Sequence, residues 1–216
     1  MMRILLEQQT RVVGIVRELS EDLVGVGARY GERCRFAAAD VRSEPALARV
    51  AAELPKDTAF DALIYNAAVH FEQDRRDLLD CRIDDALQTL DVNCLGALRS
   101  IKHLRPFVVP RGLIVLVSSE AGSIAENWRP SEFGYCMSKA ALNMLSQLLR
   151  VREEQAQSGI RVVALHPGWF RSDMGGPNAE SGVAESALDI VRTLRERHGA
   201  DDGPPFVDRF GKAMAW

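Results

Sequence analysis

The stretch RGLIVLVSSEAG, residues 111–122, decides the fold class of this chain. Its apolar run from Leu113 to Val117 contains no polar residue, and a Ser/Gly turn follows at once. A strand without polar alternation is buried on both faces, which is typical of a parallel sheet covered by helices on both sides. The next long segment, 135–159, has apolar residues at helical spacing and ends in a glycine, so it predicts one of the covering helices.

The same alternation of short strands and longer helices extends over the whole chain. β-branched apolar runs predict strands, and segments with apolar residues every three or four positions predict helices. The predicted strands are 11–17, 34–41, 60–68, 111–122, 160–170 and 204–211, and the predicted helices are 44–54, 82–108, 135–159 and 184–199. We therefore expect one α/β domain over residues 1–216, with a doubly wound parallel sheet.

Composition and charge exclude several classes of protein. The 216 residues are 47% hydrophobic and 26% charged, with a net charge of −3, which favours a globular domain over a disordered one. No basic stripe interleaved with aromatic residues indicates nucleic-acid binding, and no apolar run is long enough to span a membrane. The opening MMRILLEQQT turns polar too early for a signal peptide, and the four cysteines form no CxxC pair. We therefore expect a reduced, cytoplasmic protein without a metal site.

Tyr135 and Lys139 stand four residues apart at the start of the predicted 135–159 helix, on one face of it. A phenol with a pKa near 10 is a poor proton relay at neutral pH. An ammonium group one turn away stabilises the phenolate and lowers that pKa toward the working range. The spacing alone often arises by chance, so the neighbouring motifs must decide between a catalytic pair and an ordinary aromatic residue beside a solvated lysine.

Other polar residues collect where the predicted strands end, which is where doubly wound sheets bind ligands. Ser118 and Ser119 follow one strand, Asn66 follows another, and a polar loop over 166–176 follows a third. Asn93 lies inside an apolar helix, where a buried amide must find hydrogen-bond partners. Each feature also has a structural interpretation: a Ser/Gly turn, an Asn cap or a plain connection.

Their combination resembles the short-chain dehydrogenase/reductase family from about residue 4 to the end of the chain. The motifs that carry the resemblance are YNAA (65–68), VN (92–93), SS (118–119) and YCMSK (135–139). SKAALNML, VALHPGWFRSDMGGPNA and PFVDRFGKAMAW are similar to the C-factor (C-signal) type members, which are carbonyl-reductase-like and linked in some organisms to developmental signalling. The resemblance implies a Rossmann-like fold and NAD(P)-dependent hydride transfer between nicotinamide and a small carbonyl or alcohol substrate.

The resemblance also implies a role for each residue of the catalytic set. Tyr135 would be the general acid for reduction or the base for oxidation, and Lys139 would lower its pKa and hold the nicotinamide ribose. Ser119 would orient the substrate carbonyl, and Asn93 would position a water in the proton relay. Members commonly pair through the helices that carry Asn93 and Tyr135, which would give a homodimer or homotetramer, whereas some carbonyl reductases are monomers, so the sequence leaves the oligomeric state open.

For the cofactor, the resemblance implies contacts along the whole molecule. Asn66 and Ala67 would approach a ribose, and Asp40 with Val41 would bracket the adenine. The Pro167–Gly168 segment and Ser172 would contact the nicotinamide end, together with Tyr135 and Lys139. Arg17 ends its predicted strand without a nearby acid, which favours NADP over NAD because a guanidinium can bind the 2′-phosphate; its alternative interpretation is a solvated side chain.

The front of the chain departs from the family pattern. A member should open with a buried strand and a glycine-rich TGxxxGxG turn, whereas RILLEQQTRVVGIVR begins in the last turns of the first helix. We therefore expect an unfilled position in the sheet between the strands of 11–17 and 60–65. Two interpretations stay open: a truncated reading frame of an active reductase, or a non-catalytic, signalling relative that has lost cofactor binding.

Smaller departures lie within the motifs. Tyr65 and Ala68 replace an asparagine and a glycine of the family's NNAG. The segment between Ser119 and Tyr135 is also long, and Trp128 and Phe133 within it are either apolar walls of a substrate site or a hydrophobic cap on the helix end.

Overall fold

In a computed structural model, residues 1–71, 77–198 and 203–216 are described. They form strands β1 Val12–Val16, β2 Cys34–Ala38, β3 Phe60–Tyr65, β4 Val108–Val117, β5 Arg161–His166 and β6 Phe206–Asp208. The helices are α1 Met2–Glu7, α2 Glu21–Tyr30, α3 Glu44–Glu53, α4 Ile83–Leu90, α5 Gly96–Leu104, α6 Phe133–Gln155 and α7 Val183–Arg197. Every described strand pair is parallel, so the predicted α/β class with a parallel sheet is confirmed.

Strand β4 is the centre of the core, as its unbroken apolar run predicts. Ile114 and Leu116 pack in one cluster with side chains of α5 and α6, such as Ile101 and Leu142. Leu113 and Val115 pack on the other face in a cluster that includes residues of α7. All four β4 side chains are at most 1% exposed. Helices on both faces therefore hold the sheet, and the loops at its carboxyl edge carry the polar residues.

The strands divide into two sheets, with orders β1-β2 and β3-β4-β5-β6. Among the described residues no strand pairing joins β1 to β3. This is the unfilled position expected between the strands of 11–17 and 60–65. On the β1-β2 side, Val12 packs near Leu6 of α1 and Val26 of α2, and Ile15 packs against α3.

Two helical regions differ from the sequence-based expectation. Helix α2 was not predicted, because Gly25 and Gly27 disfavour helix. Ser20 marks its start, since its Oγ accepts a hydrogen bond from the Leu23 amide at 3.4 Å. Acidic residues in the first turn also favour a helix start there. The predicted helix 82–108 is interrupted by a π turn, Asp91–Leu95, between α4 and α5. None of the described helices is long and apolar enough to cross a membrane.

Candidate active site

The structure brings Ser119, Tyr135 and Lys139 together at the carboxyl end of β4. Ser119 follows that strand directly, and its hydroxyl is hydrogen-bonded to the Tyr135 phenol. Tyr135 lies in the first turn of α6, and the Lys139 ammonium is 5.6 Å from the centre of its ring. Lys139 is 2% exposed and donates a hydrogen bond to the Val117 carbonyl at 2.9 Å.

Asn93 joins this group through the π turn, and its side chain is fully buried. Its Oδ1 accepts a hydrogen bond from the Val69 amide at 2.8 Å, and its Nδ2 donates to the Val69 carbonyl at 3.0 Å. Nδ2 also donates to Ser138 Oγ at 3.0 Å. The amide is therefore fully used in tying the loop after β3 to α6, which explains an asparagine inside an apolar helix.

Tyr65, which replaces the first asparagine of the family motif, anchors the same π turn. Its hydroxyl donates a hydrogen bond to the Val92 carbonyl at 2.5 Å. A Cβ at position 96 would lie 2.5 Å from the Tyr65 hydroxyl, so glycine is required at Gly96. A π turn leaves carbonyl groups without their usual helical partners, and Tyr65 supplies one.

The two serines after β4 have different tasks. Ser118 Oγ donates to Asn143 Oδ1 at 2.6 Å, and Asn143 Nδ2 donates to the Gly122 carbonyl at 3.1 Å, so Ser118 fixes the turn against α6. Ser119 Oγ accepts from the Ala121 amide at 3.2 Å and also reaches Tyr135. Ser118 thus has the structural role in this Ser/Gly turn, and the functional role of Ser119 stays a prediction.

Burial dominates the electrostatics of Tyr135 and Lys139. It raises the pKa of Tyr135 to about 12, against the lowering effect of the Ser119 hydrogen bond. It lowers the pKa of Lys139 to about 8. The net pKa of Tyr135 is therefore raised in this structure because the phenol is desolvated, and a lowering of that pKa by Lys139 stays a prediction.

Asp40 and two arginines cluster where β1 and β2 end. Arg42 binds the Asp40 carboxylate through Nε and Nη2, at 3.1 and 2.6 Å, and this holds the pKa of Asp40 at about 2, with a further contribution from Arg17. The expectation that Arg17 lacks a nearby acid is wrong, since its Nε lies 3.8 Å from the Glu18 carboxylate. That pair is exposed, with 69% of the Arg17 side chain accessible. Val41 packs on the core beside Gly96.

The remaining cofactor candidates lie on loops after β3 and β5. Asn66 and Ala67 are exposed directly after β3. Pro167 and Gly168 follow β5, and Gly168 has a φ of 78°, a conformation that favours glycine. Ser172 accepts a hydrogen bond from the Gly175 amide at 3.0 Å, so in this structure it builds its own turn.

Several residues of the site were missed by the sequence reasoning. His70 stacks on Tyr135, with ring centres 4.4 Å apart. Arg129 links the Glu132 carboxylate, at 2.9 Å, to the Glu120 carboxylate, at 2.7 Å, and so braces the segment between Ser119 and α6. The available signal for Arg129, Glu120 and Glu132 was their charge and their position in the long 120–134 segment, which does not contain His70. Trp128 is 75% exposed, which excludes the hydrophobic cap as its role.

Comparison with known proteins agrees with this architecture. The short chain dehydrogenase family model matches residues 1–181. C-signal of Myxococcus xanthus is 33% identical over 134 residues, or 61% of this chain and 79% of that protein. Oxidoreductase UcpA of Escherichia coli is 34% identical over 182 residues, which span 83% of this chain but only 65% of UcpA, slightly less than two thirds.

Among solved structures, a chain described as a short-chain dehydrogenase/reductase from Burkholderia multivorans, with bound NADP, is similar in fold. It superposes with a TM-score of 0.90 at 29% identity, covering 99% of this chain and 92% of that one.

Proposed function

The chain belongs to the short-chain dehydrogenase family of oxidoreductases, and on that premise we propose that it is an NADP-dependent reductase of small carbonyl compounds, or in reverse a dehydrogenase of the alcohols, with Tyr135 as the proton donor. The observation that carries the proposal is the hydrogen-bonded pair of Ser119 and Tyr135 beside the buried ammonium of Lys139. The C-signal likeness suits the carbonyl-reductase-like subgroup.

The chemistry assigned to the chain is proton transfer and orientation. When bound, NADPH supplies the hydride that the carbonyl carbon receives. The Tyr135 phenol gives its proton to the carbonyl oxygen, and a hydrogen bond from Ser119 holds that oxygen within reach of the phenol. Since burial raises the pKa of Tyr135 to about 12, the phenol is protonated at neutral pH and is ready to act as the acid in reduction.

Lys139 and the strand-end loops fit the nicotinamide half of the cofactor. The bond to Val117 uses one of the three ammonium donors of Lys139, which leaves donors for ribose hydroxyls. Asn66 and Ala67 are exposed at the end of β3, where a ribose would lie, and Pro167, Gly168 and Ser172 lie on the loop after β5. The side-chain amide of Asn93 is engaged in protein contacts. We therefore propose that the backbone of Asn93, or the turn that it stabilises, positions the water of the proton relay.

Charges at the ends of β1 and β2 suit the adenosine half of NADP. Arg42 is paired with Asp40, whereas Arg17 has only an exposed contact with Glu18, at 3.8 Å, so its guanidinium stays accessible to an anion. A 2′-phosphate would find a guanidinium in the exposed Arg17, while Asp40 and Val41 would border the adenine. For the pyrophosphate, no glycine-rich turn at a helix start stands among the described residues next to β1.

Residues on the loops around Tyr135 suit an apolar carbonyl compound as substrate. Trp128 and Ile124 lie in the segment between Ser119 and α6 and are 75% and 83% exposed. Trp169 lies on the loop after β5 and is 51% exposed, with its indole N–H bonded to the Gly175 carbonyl at 2.8 Å. These side chains would cover the apolar part of a substrate whose carbonyl points at Tyr135.

A second copy of the chain is the proposed partner, as a homodimer or homotetramer. Helices α4 and α6 lie side by side. Exposed apolar residues run along α4, the π turn and α5 (Ile83, Leu87, Leu95, Leu98) and along α6 (Met137, Met144, Leu148, Val151). Exposed apolar residues on neighbouring helices are typical of an interface. Sedimentation analysis measures the molecular mass of the Leu148→Glu variant and of the unchanged chain. We expect a lower mass for the variant, and the same mass for both proteins would contradict the proposed interface.

Among the described residues, Cys34, Cys81, Cys94 and Cys136 form no disulfide, which suits a reducing compartment, and we propose a cytoplasmic location.

Calorimetric titration of the full 216-residue chain with NADPH tests the proposal. We expect micromolar binding. The competing hypothesis, a non-catalytic signalling protein of the C-signal type, expects no heat of binding, and that result would overturn the enzymatic proposal.

A further inference from the structure

His70 makes an unusual contact with Tyr135. The two rings are stacked, with centres 4.4 Å apart and planes inclined by only 20°. The His70 side chain is 5% exposed, so it is enclosed at this position and does not merely lie on the surface. The two residues are far apart in sequence, and the contact therefore depends on how the loop after β3 is fixed against α6.

Asn93 fixes that loop. Its side chain binds both the amide and the carbonyl of Val69, at 2.8 and 3.0 Å, which sets the backbone of the residue directly before His70. The Nε2 atom of His70 lies 3.9 Å from the Glu132 carboxylate. Glu132 is in turn bound by Arg129 at 2.9 Å, so the groups around the imidazole are themselves held in place.

The same asparagine also holds the helical turn that carries Tyr135. Asn93 Nδ2 donates to Ser138 Oγ at 3.0 Å, and Ser138 Oγ donates to the Tyr135 carbonyl at 2.7 Å. One buried amide thus fixes the backbone on both sides of the stacked pair. With both backbones fixed, the His70 ring restricts the direction in which the Tyr135 ring can point.

Ring direction matters for the proposed reaction. A proton donor must lie within hydrogen-bond reach of the oxygen that it protonates, and displacement of a reacting group by about 1 Å can cost about 100-fold in rate. Tyr135 stands in the first turn of α6, where no preceding helical turn packs against its side chain. The stacked His70 ring restrains the Tyr135 ring in addition to the hydrogen bond with Ser119.

We propose that His70 is a positioning residue for Tyr135: its stacked ring holds the phenol in the direction required for proton transfer. The proposal rests on the function proposed above. A planar ring at position 70 is what the mechanism requires, so His70→Phe and His70→Leu are the informative pair. Phenylalanine keeps a stacking face, whereas leucine has a similar apolar volume without one.

The kinetic test compares these two variants with the unchanged chain, using NADPH and an aromatic ketone. We expect kcat to fall about 10- to 100-fold in His70→Leu, with KM for NADPH retained, and to stay near the original value in His70→Phe. His198→Ala, at an exposed histidine after α7, is the matched control and should change neither constant. Equal kcat in the Phe and Leu variants would overturn the proposal.

A spectroscopic test does not depend on turnover. The chain has three tyrosines, so incorporation of 3-fluorotyrosine gives three ¹⁹F signals, and Tyr135→Phe identifies the one that matters. We expect the Tyr135 signal to shift and narrow in His70→Leu and to remain near its original position in His70→Phe. A Tyr135 signal that is the same in both His70 variants and in the unchanged chain would overturn the positioning role, even if the unchanged chain reduced no ketone. A shifted signal without any reductase activity would overturn only the proposed function.

Discussion

Lys139 donates a hydrogen bond to the Val117 carbonyl, 2.9 Å away, where β4 ends and the Ser119 turn begins. The lysine thereby connects the helix that carries Tyr135 to the strand that carries Ser119. Its ammonium is 2% exposed and no carboxylate neutralises it in the described contacts, so the folded chain keeps a buried charge beside the site. Such a charge destabilises the folded state, and buried charges of this kind are typical of functional sites.

Replacing Lys139 by methionine should therefore stabilise the protein at neutral pH. Burial lowers the pKa of Lys139 from 10.5 to about 8, a difference that corresponds to about 3 kcal/mol of unfolding free energy below pH 8. The lost bond to Val117 offsets about 1 kcal/mol of the gain. We expect Lys139→Met to raise the free energy of urea unfolding at pH 7 by about 2 kcal/mol.

The pH dependence of stability in the same variant tests whether the pKa of Lys139 is lowered on folding. Between pH 8 and 10.5 the unfolded lysine binds more protons than the folded one, so this group makes the unchanged chain more stable as pH rises. Lys139→Met should lack that rise. The raised pKa values of Tyr135 and Tyr65 make both proteins less stable above about pH 10 and cancel in the comparison. Parallel stability curves for the two proteins between pH 8 and 10.5 would contradict the assignment.

Arg17→Ala should weaken NADPH binding selectively. A charged hydrogen bond to a phosphate contributes about 1.5 kcal/mol or more, so we expect the Kd for NADPH to rise about tenfold and the Kd for NADH to stay the same. Calorimetry with both nucleotides measures this. Arg11→Ala is the matched control, because Arg11 is exposed directly before the same strand, at its opposite end. An equal rise in Kd for NADPH and NADH would show that Arg17 does not bind the 2′-phosphate.

Arg105→Met should destabilise the fold away from the site. Arg105 Nε and Nη2 bind the Glu153 carboxylate at 3.0 and 2.5 Å, and the Glu153 side chain is fully buried. Removing the arginine leaves the buried carboxylate with Arg152 and Ser158 as partners, and we expect a cost of about 1–3 kcal/mol. Arg150→Met breaks only the exposed pair with Glu154 and should cost less than about 1 kcal/mol.

Acid should reduce the difference in unfolding free energy between Arg105→Met and Arg150→Met. Burial raises the pKa of Glu153, but the hydrogen bonds from Arg105 and Ser158 outweigh it and hold the pKa below the ordinary 4.5. This contribution to stability is present above pH 4.5 and is lost as pH falls through the folded-state value. Urea unfolding at pH 7 and pH 3 measures it, and a cost of Arg105→Met that is the same at both values would argue against the buried pair.

The sequence was sufficient for the core of the site because each residue is tied to a local pattern. Ser119 follows an unbroken apolar strand, and Tyr135 and Lys139 share a helix face, so the carboxyl edge of the sheet brings them together. Helix α2 was hidden by Gly25 and Gly27, although Ser20 and the acids after it were a valid start signal. The π turn was hidden because its residues continue the helical pattern.

Contacts between distant segments were beyond sequence reasoning. The stacking of His70 on Tyr135 depends on the Asn93 bonds to Val69, which no local pattern specifies. The direction of the Tyr135 pKa also depends on burial, which the motif does not report, and the motif alone gave the opposite direction. The Arg42 partner of Asp40 was also missed, although this contact is local and joins residues only two positions apart.

Turnover of Tyr135→Phe tests the central claim most directly. The substitution removes one hydroxyl and its bond to Ser119 while keeping the ring on His70, so folding and NADPH affinity should change little. The measurement is the rate of NADPH oxidation at 340 nm with a saturating ketone, for the variant and the unchanged chain. We expect kcat to fall by a factor of about 10³ or more. A Tyr135→Phe protein that reduces the ketone at the rate of the unchanged chain would contradict the account.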